Sequence, residues 1–209
     1  MLLRLFLVAC ICLLSCQAYE QNDRDDAMEW LASVGFPPLK AFNYMTPKLI
    51  RTVMENYLNT AKEGAFEYLS EKDTEVIWAA TSAANNCEMC LSFHTMAMAG
   101  HKLEDPVISS IASGGVPPSG SEFESLVLAT KYALAHKGIL LPREAQHLAT
   151  MGIHEEMFLE INYAAHTMGA LNAIYINMIA NGLDLERFLK IYGPFSGTVY
   201  KQELDEAEF

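Results

Sequence analysis

The chain has 209 residues, of which 51% are hydrophobic and 19% are charged, so it carries enough apolar side chains for one compact core. Its 26 acidic residues outnumber its 14 basic residues, which gives a net charge of −12. Because such a surface repels nucleic acid, and no basic stripe or zinc-finger spacing is present, the composition argues against nucleic-acid binding.

The N-terminal residues indicate export. Arg4 precedes an uncharged, mostly apolar run, residues 5–16, and a small residue follows at Ala18, a pattern typical of a secretory signal peptide. We expect cleavage after Ala18, with lipid attachment at Cys16 of a Leu-Leu-Ser-Cys sequence as the alternative. A spanning helix takes about 20 apolar residues, so the run is too short and we expect no membrane span in the mature form. The mature protein is then secreted, periplasmic or lumenal.

We therefore divide the chain into a signal peptide, residues 1–18, a polar spacer, residues 19–26, and a single helical domain, residues 27–209. Within that domain the next signals are helical. Pro47 begins an apolar-periodic run through Lys62, Ser70-x-x-Asp73 resembles a capping box, and Pro142 is suited to a first helical turn. No useful length of the chain alternates like a strand.

A glycine followed by a short turn recurs between the predicted helices. Gly100, Gly152 and Gly182 each end an apolar segment. Each is followed by a short turn and by acidic residues at the start of the next predicted helix. The Gly- and Pro-rich segment Ser113–Ser121 predicts a longer loop between the two halves. Short turns of this kind connect antiparallel helices, so the sequence predicts an all-α fold, a compact helical bundle.

The chemistry-bearing segment is a Cys-x-x-Cys-x-x-x-His pattern at Cys87, Cys90 and His94, preceded by two asparagines. With a helix starting at residue 86 or 87, Cys90 lies about 60° and His94 about 20° from Cys87, on one helical face. A first-turn position favours a thiolate at Cys87, and His94 can exchange a proton with Cys90, one turn earlier. The spacing favours proton-coupled thiol chemistry.

Glu75 lies twelve residues before Cys87, on an otherwise apolar helix, where a carboxylate needs a partner. If that helix packs against the cysteine helix, Glu75 can bind His94 and complete a relay from carboxylate to imidazole to thiol.

Glu75, the twelve-residue gap, Cys87-x-x-Cys90 and His94 together resemble the signature of the alkylhydroperoxidase D-like group within the carboxymuconolactone decarboxylase superfamily. The resemblance is strongest over residues 49–105. It implies an all-helical bundle that forms trimers or hexamers and needs no cofactor or metal. It also implies a thiol-dependent peroxidase or thiol-disulfide oxidoreductase, in which Cys90 attacks a hydroperoxide and Cys87 resolves the product as a disulfide. His94 and Glu75 would move protons.

Several alternatives stay open at this point. The helix dipole favours Cys87 as the more acidic thiol, whereas the resemblance implies attack by Cys90. The cysteine pair could be a structural disulfide of a non-catalytic exported protein, or could bind zinc together with His94. Carboxymuconolactone decarboxylase-like lyase activity is a further alternative, although decarboxylases of the superfamily do not rely on a Cys-x-x-Cys pair.

The expected partners follow from the thiol chemistry and from composition. A peroxide or disulfide would be the small-molecule substrate, and a dithiol of unknown identity would return the electrons. We also expect a homo-oligomer, because the late apolar segment, residues 155–180, should bury a partner surface.

Overall fold

The computed structural model describes residues 23–34, 42, 45–182 and 184. The predicted signal peptide, the lipid-attachment alternative at Cys16 and the segment that follows Gly182 lie outside these residues, apart from Asp184. In this described part every regular element is an α-helix, which confirms the predicted all-α fold. None of the helices found there has the length and apolarity needed to cross a membrane.

Helix α1 covers residues 23–33. Seven further helices follow in chain order: α2 (Pro47–Ala61), α3 (Glu71–Ala84), α4 (Glu88–Gly100), α5 (Asp105–Ala112), α6 (Glu124–Ala135), α7 (Pro142–Thr150) and α8 (Glu155–Ala180).

The chain divides into two compact units at the Glu55–Asn56 bond, which lies within α2. In the first unit, the Arg51 side chain of α2 donates to the backbone oxygen of Asp26 at 3.3 Å. The same guanidinium lies 5.5 Å from the ring centroid of Trp30, so charge–backbone and cation–π contacts link α1 to α2. The prediction of a single domain over residues 27–209 stays a prediction.

The second unit is organised around α3, which packs against α4, α5, α6 and α8. Seven consecutive residues of α3, from Val76 to Ser82, are buried, because this helix has neighbours on every side. The indole Nε1 of Trp78 donates to the backbone oxygen of Ala164 at 3.2 Å and so ties α3 to α8. Glu75 and the cysteine segment therefore lie on neighbouring helices.

The local start signals are confirmed. Pro47 and Pro142 begin α2 and α7. The Ser70 hydroxyl accepts from the Asp73 backbone N–H at 3.2 Å, and the Ser70 N–H donates to the Asp73 carboxylate at 2.9 Å, which forms a capping box at α3.

The stop signals are confirmed in part. Gly152 and Gly182 adopt positive φ angles of 87° and 103° after α7 and α8. Gly100 instead remains the last helical residue of α4, and Lys102 takes the left-handed position with φ 62°. The backbone hydrogen bond from Leu103 N–H to the Met98 oxygen, 3.1 Å, closes this turn, so its geometry holds without glycine.

Candidate active site

The site begins at the turn between α3 and α4, where Asn86 has a left-handed φ of 55°. Its N–H donates to the Ala83 oxygen at 3.2 Å, and the N–H of Cys87 donates to the Ser82 oxygen at 2.9 Å. These two bonds form a Schellman motif, in which asparagine is one of the few non-glycine residues that tolerate the left-handed position. The asparagine pair therefore ends α3 and does not begin α4.

This turn shifts the start of α4 by one or two residues from the predicted position. Cys87 is the N-cap residue, with φ −89° and ψ 85°, and the first helical residue is Glu88. Cys90 is consequently the third residue of the first turn, where backbone N–H groups and the helix dipole stabilise negative charge. The dipole argument that favoured Cys87 therefore applies to Cys90 as well, and it no longer opposes the assignment implied by the resemblance.

The two cysteines are joined in a disulfide, with their Cα atoms 5.4 Å apart. Cys87 is 1% and Cys90 3% exposed, so the bond lies beneath the surface, at the N-terminal end of α4. The sequence placed both sulfurs on one helical face, and the structure brings them into bonding contact.

His94 and Glu75 form the predicted second pair. The Nδ1 atom of His94 lies 2.7 Å from Oε2 of Glu75, and the two side chains are 6% and 14% exposed. An ionised carboxylate can only accept, so with ionised Glu75 the Nδ1–H donates and Nε2 keeps its lone pair. His94 follows Cys90 by four residues, so the two side chains lie on the same face of α4, one turn apart.

Two aromatic rings, Trp78 and Tyr57, pack beside this pair and form what we call the aromatic layer. The sequence analysis did not identify them. The ring of Trp78 lies 5.3 Å from the imidazole of His94, centroid to centroid, at a tilt of 56°. On α2, Tyr57 stacks on Trp78 at 4.8 Å. Trp78 follows Glu75 by three residues, a spacing that places both on one side of α3 and could have signalled their association.

Two tyrosines near the layer have perturbed acidities. Burial, then the negative charge of Glu75, then Tyr175 raise the pKa of Tyr57 above its ordinary value. Burial alone raises the pKa of Tyr175 on α8. Both phenols therefore stay neutral throughout the ordinary pH range.

A residue of α8 contacts the last turn of α3, just before the α3–α4 turn. Asn172 is fully buried, and its Oδ1 accepts from the Ser82 hydroxyl at 3.2 Å. Because the backbone oxygen of Ser82 receives the Cys87 N–H, this contact braces the turn that presents the disulfide. No local sequence pattern points to this contact, since Ser82 and Asn172 are 90 residues apart.

Across residues 23–34, 42, 45–182 and 184, no three His, Cys, Asp or Glu side chains are grouped so as to hold a metal ion.

Comparison with known proteins supports the same family. Residues 51–132, which include Glu75, both cysteines and His94, match the carboxymuconolactone decarboxylase family. The chain is also similar to a crystal structure described as an alkylhydroperoxidase AhpD core, an uncharacterized peroxidase-related protein from Ralstonia eutropha JMP134. The sequence identity is 20% and the TM-score 0.56, over 81% of this chain and 88% of that chain. No curated protein sequence matches the chain significantly. The match over residues 51–132 confirms the resemblance to the carboxymuconolactone decarboxylase family, and the similarity to the crystal structure confirms the all-α fold.

Proposed function

We propose that this carboxymuconolactone decarboxylase-like chain is a thiol-dependent peroxidase, with Cys90 as the attacking thiolate and Cys87 as the resolving thiol. The observation that carries the proposal is the placement of a closed Cys87–Cys90 pair one helical turn before a histidine that is itself bound to a carboxylate. Proteins commonly activate a weak nucleophile by placing a base beside it and a third group that orients the base. Here Cys90 would be the nucleophile, His94 the base and Glu75 the orienting group.

The oxidative half of the reaction needs two proton transfers. His94 Nε2 takes the proton of Cys90, and the thiolate attacks the outer oxygen of a hydroperoxide. The oxygen–oxygen bond breaks, Cys90 becomes a sulfenic acid, and the leaving alkoxide takes the proton back from His94 to depart as an alcohol. Cys87 then attacks the sulfenic sulfur, water leaves, and the disulfide forms. The peroxide is reduced by two electrons and the dithiol is oxidised by two.

The reductive half requires an external dithiol, because the disulfide must regain two electrons and two protons. A donor thiolate attacks one sulfur, and its second thiol releases the reduced chain with formation of the donor's own disulfide. The role of Glu75 in both halves is to fix the ring of His94 and to balance the charge of the imidazolium.

A structural disulfide is the second candidate, and the burial of both sulfurs favours it. Cys87 and Cys90 are 1% and 3% exposed, which restricts the approach of a bulky donor. A structural disulfide that closes so small a loop, here called a clip, would add little to the free energy of unfolding through chain entropy. Measurements of stability and of thiol reactivity therefore distinguish a clip from a redox centre. For the decarboxylase alternative, the paired cysteines have no evident use.

The test is mass spectrometry of the reduced chain after exposure to one equivalent of hydrogen peroxide. We expect the parent to lose two hydrogens and Cys87→Ser to accumulate a sulfenic acid at Cys90. Cys90→Ser should keep its remaining thiol. Oxidation of Cys87 in Cys90→Ser at the rate of the parent would contradict the assignment, and reaction of both thiols no faster than free cysteine would favour the clip.

We also propose that the chain self-associates through α8 after export from the cell. Three large apolar residues of α8, Leu159, Tyr163 and Ile176, are 58%, 53% and 37% exposed, which leaves apolar surface available to a second copy. Sedimentation of the mature protein should give a trimer or hexamer, and a monomer at micromolar concentration would contradict this assembly.

A further inference from the structure

A cleft of about 400 Å³ opens between α3, α5 and α6. Its walls are aliphatic: Ala80 and Ala84 of α3, Ile111 of α5 and Leu134 of α6. The volume lies within the range of about 300–1,000 Å³ that is usual for small-molecule sites. Because alanine occupies the α3 wall, the space is left open and is not filled by the protein's own side chains.

One cation faces this apolar cleft. Lys131 of α6 is half-buried in the lining, and its ammonium donates to the backbone oxygen of Gly114 at 2.6 Å. An ammonium has three donors, so two remain for another group. No carboxylate in the described part of the chain forms an ion pair with Lys131, although acidic residues are nearly twice as numerous as basic ones.

Asn85 is a further polar residue in the lining. Asn85 is the C-cap residue of α3, and its backbone N–H is already bonded to Thr81 and Ala83 oxygens. An apolar cavity with a few convergent polar groups is the usual form of a small-molecule site.

We infer that this cleft binds an apolar monocarboxylate, with the carboxylate on Lys131 and the apolar body between Ala80, Ala84, Ile111 and Leu134. A single ammonium matches a singly charged head group, whereas recognition of phosphate commonly uses an arginine fork or several donors. An aliphatic body matches the walls and is driven into them by burial of apolar surface. Neither Cys87 nor Cys90 lines the cleft.

The experiment is calorimetric titration of the full chain with octanoate and with octanol, which has the same alkyl chain and no charge. The variants are Lys131→Met, which removes the charge and keeps most of the stem, and Lys131→Arg, which keeps the charge. Ala84→Trp blocks the cleft from an exposed position of α3. A thermal melt of each variant checks that it is folded.

We expect octanoate to bind the parent more tightly than octanol and to lose about tenfold in affinity in Lys131→Met, since a charge-assisted hydrogen bond contributes about that factor. Lys131→Arg should stay within about threefold of the parent, octanol affinity should be unchanged by Lys131→Met, and Ala84→Trp should weaken both ligands. The double variant Cys87→Ser, Cys90→Ser should bind octanoate normally, which separates this site from the proposed peroxidase activity.

Three results would overturn the inference. One is the absence of octanoate binding to the folded parent. Another is equal octanoate affinity in the parent and in a folded Lys131→Met. The third is a loss of octanoate binding when the chain self-associates, which would assign the cleft to a second copy of the chain.

Discussion

Glu75→Gln is the substitution that probes the relay most selectively. The carboxylate of Glu75 accepts from His94 Nδ1 at 2.7 Å, and both side chains are largely shielded from water. Glutamine has the same length and can still accept through its amide oxygen, so the ring of His94 keeps its orientation. What disappears is the negative charge that balances the imidazolium after it has taken the proton of Cys90.

The size of the effect follows from the difference between charged and neutral hydrogen bonds. A bond to a charged group contributes about 1.5–3 kcal/mol and a neutral one about 0.5–1.5 kcal/mol, so the substitution removes about 1–1.5 kcal/mol of stabilisation from the charged intermediate. That energy corresponds to about a tenfold change in rate. We therefore expect the second-order rate constant of the reduced chain with hydrogen peroxide to fall about tenfold.

The assay is stopped-flow fluorescence of the reduced chain, because Trp78 lies against His94 and should report closure of the disulfide. Glu71→Gln is the matched control: it changes an exposed carboxylate one turn earlier on α3 and should leave the rate unchanged. A rate for Glu75→Gln within twofold of the parent, with Glu71→Gln equal to both, would refute the assigned role of Glu75.

Three further predictions concern stability. Ser70→Ala removes the capping box of α3 and should lower the free energy of unfolding, measured in urea, by about 1 kcal/mol. The control is Ser113→Ala, which removes an exposed hydroxyl bonded within its own turn and should change the free energy of unfolding little. Equal effects of the two substitutions would refute the capping argument. Trp78→Ala empties the centre of α3 and should destabilise the chain by about 3–5 kcal/mol in the same assay, and a loss below about 1 kcal/mol would show that the indole does not organise the core. Tyr175 has a pKa raised by burial, so the folded state keeps its proton when the unfolded state loses it; stability is then complete below about pH 10 and falls as the pH rises further. Thermal melts from pH 8 to 11.5 should show a shallower alkaline decline for Tyr175→Phe than for the parent, and identical slopes in the two would contradict the assignment.

The elements that the sequence predicted correctly depend on neighbours within one helical turn. Ser70 finds Asp73 three residues later, and Pro47 and Pro142 fix the first turns of their own helices. The contact between Cys87 and Cys90 likewise follows from their separation of only three residues. Pairing of Glu75 with His94 needed one more assumption, that α3 packs against α4, and the family spacing supplied it.

What the sequence analysis missed depends on backbone alternatives and long-range packing. Asn85 and Asn86 suit either the end of one helix or the start of the next, and the left-handed φ of Asn86 decides for the former. Stacking of Tyr57 on Trp78 joins helices separated by the whole 62–70 connection. The cleft at Lys131 requires three helices to be placed at once, which no periodicity specifies.

The most direct test of the account is turnover. A catalytic amount of the mature chain is mixed with hydrogen peroxide and excess dithiothreitol, and peroxide loss above the background with dithiothreitol alone is followed for the parent, Cys87→Ser, Cys90→Ser and His94→Ala. We expect the parent to consume many equivalents of peroxide and all three variants to lose this activity, most completely Cys90→Ser. Consumption that stops after one equivalent of peroxide, or that is the same in the parent and in Cys90→Ser, would contradict this expectation.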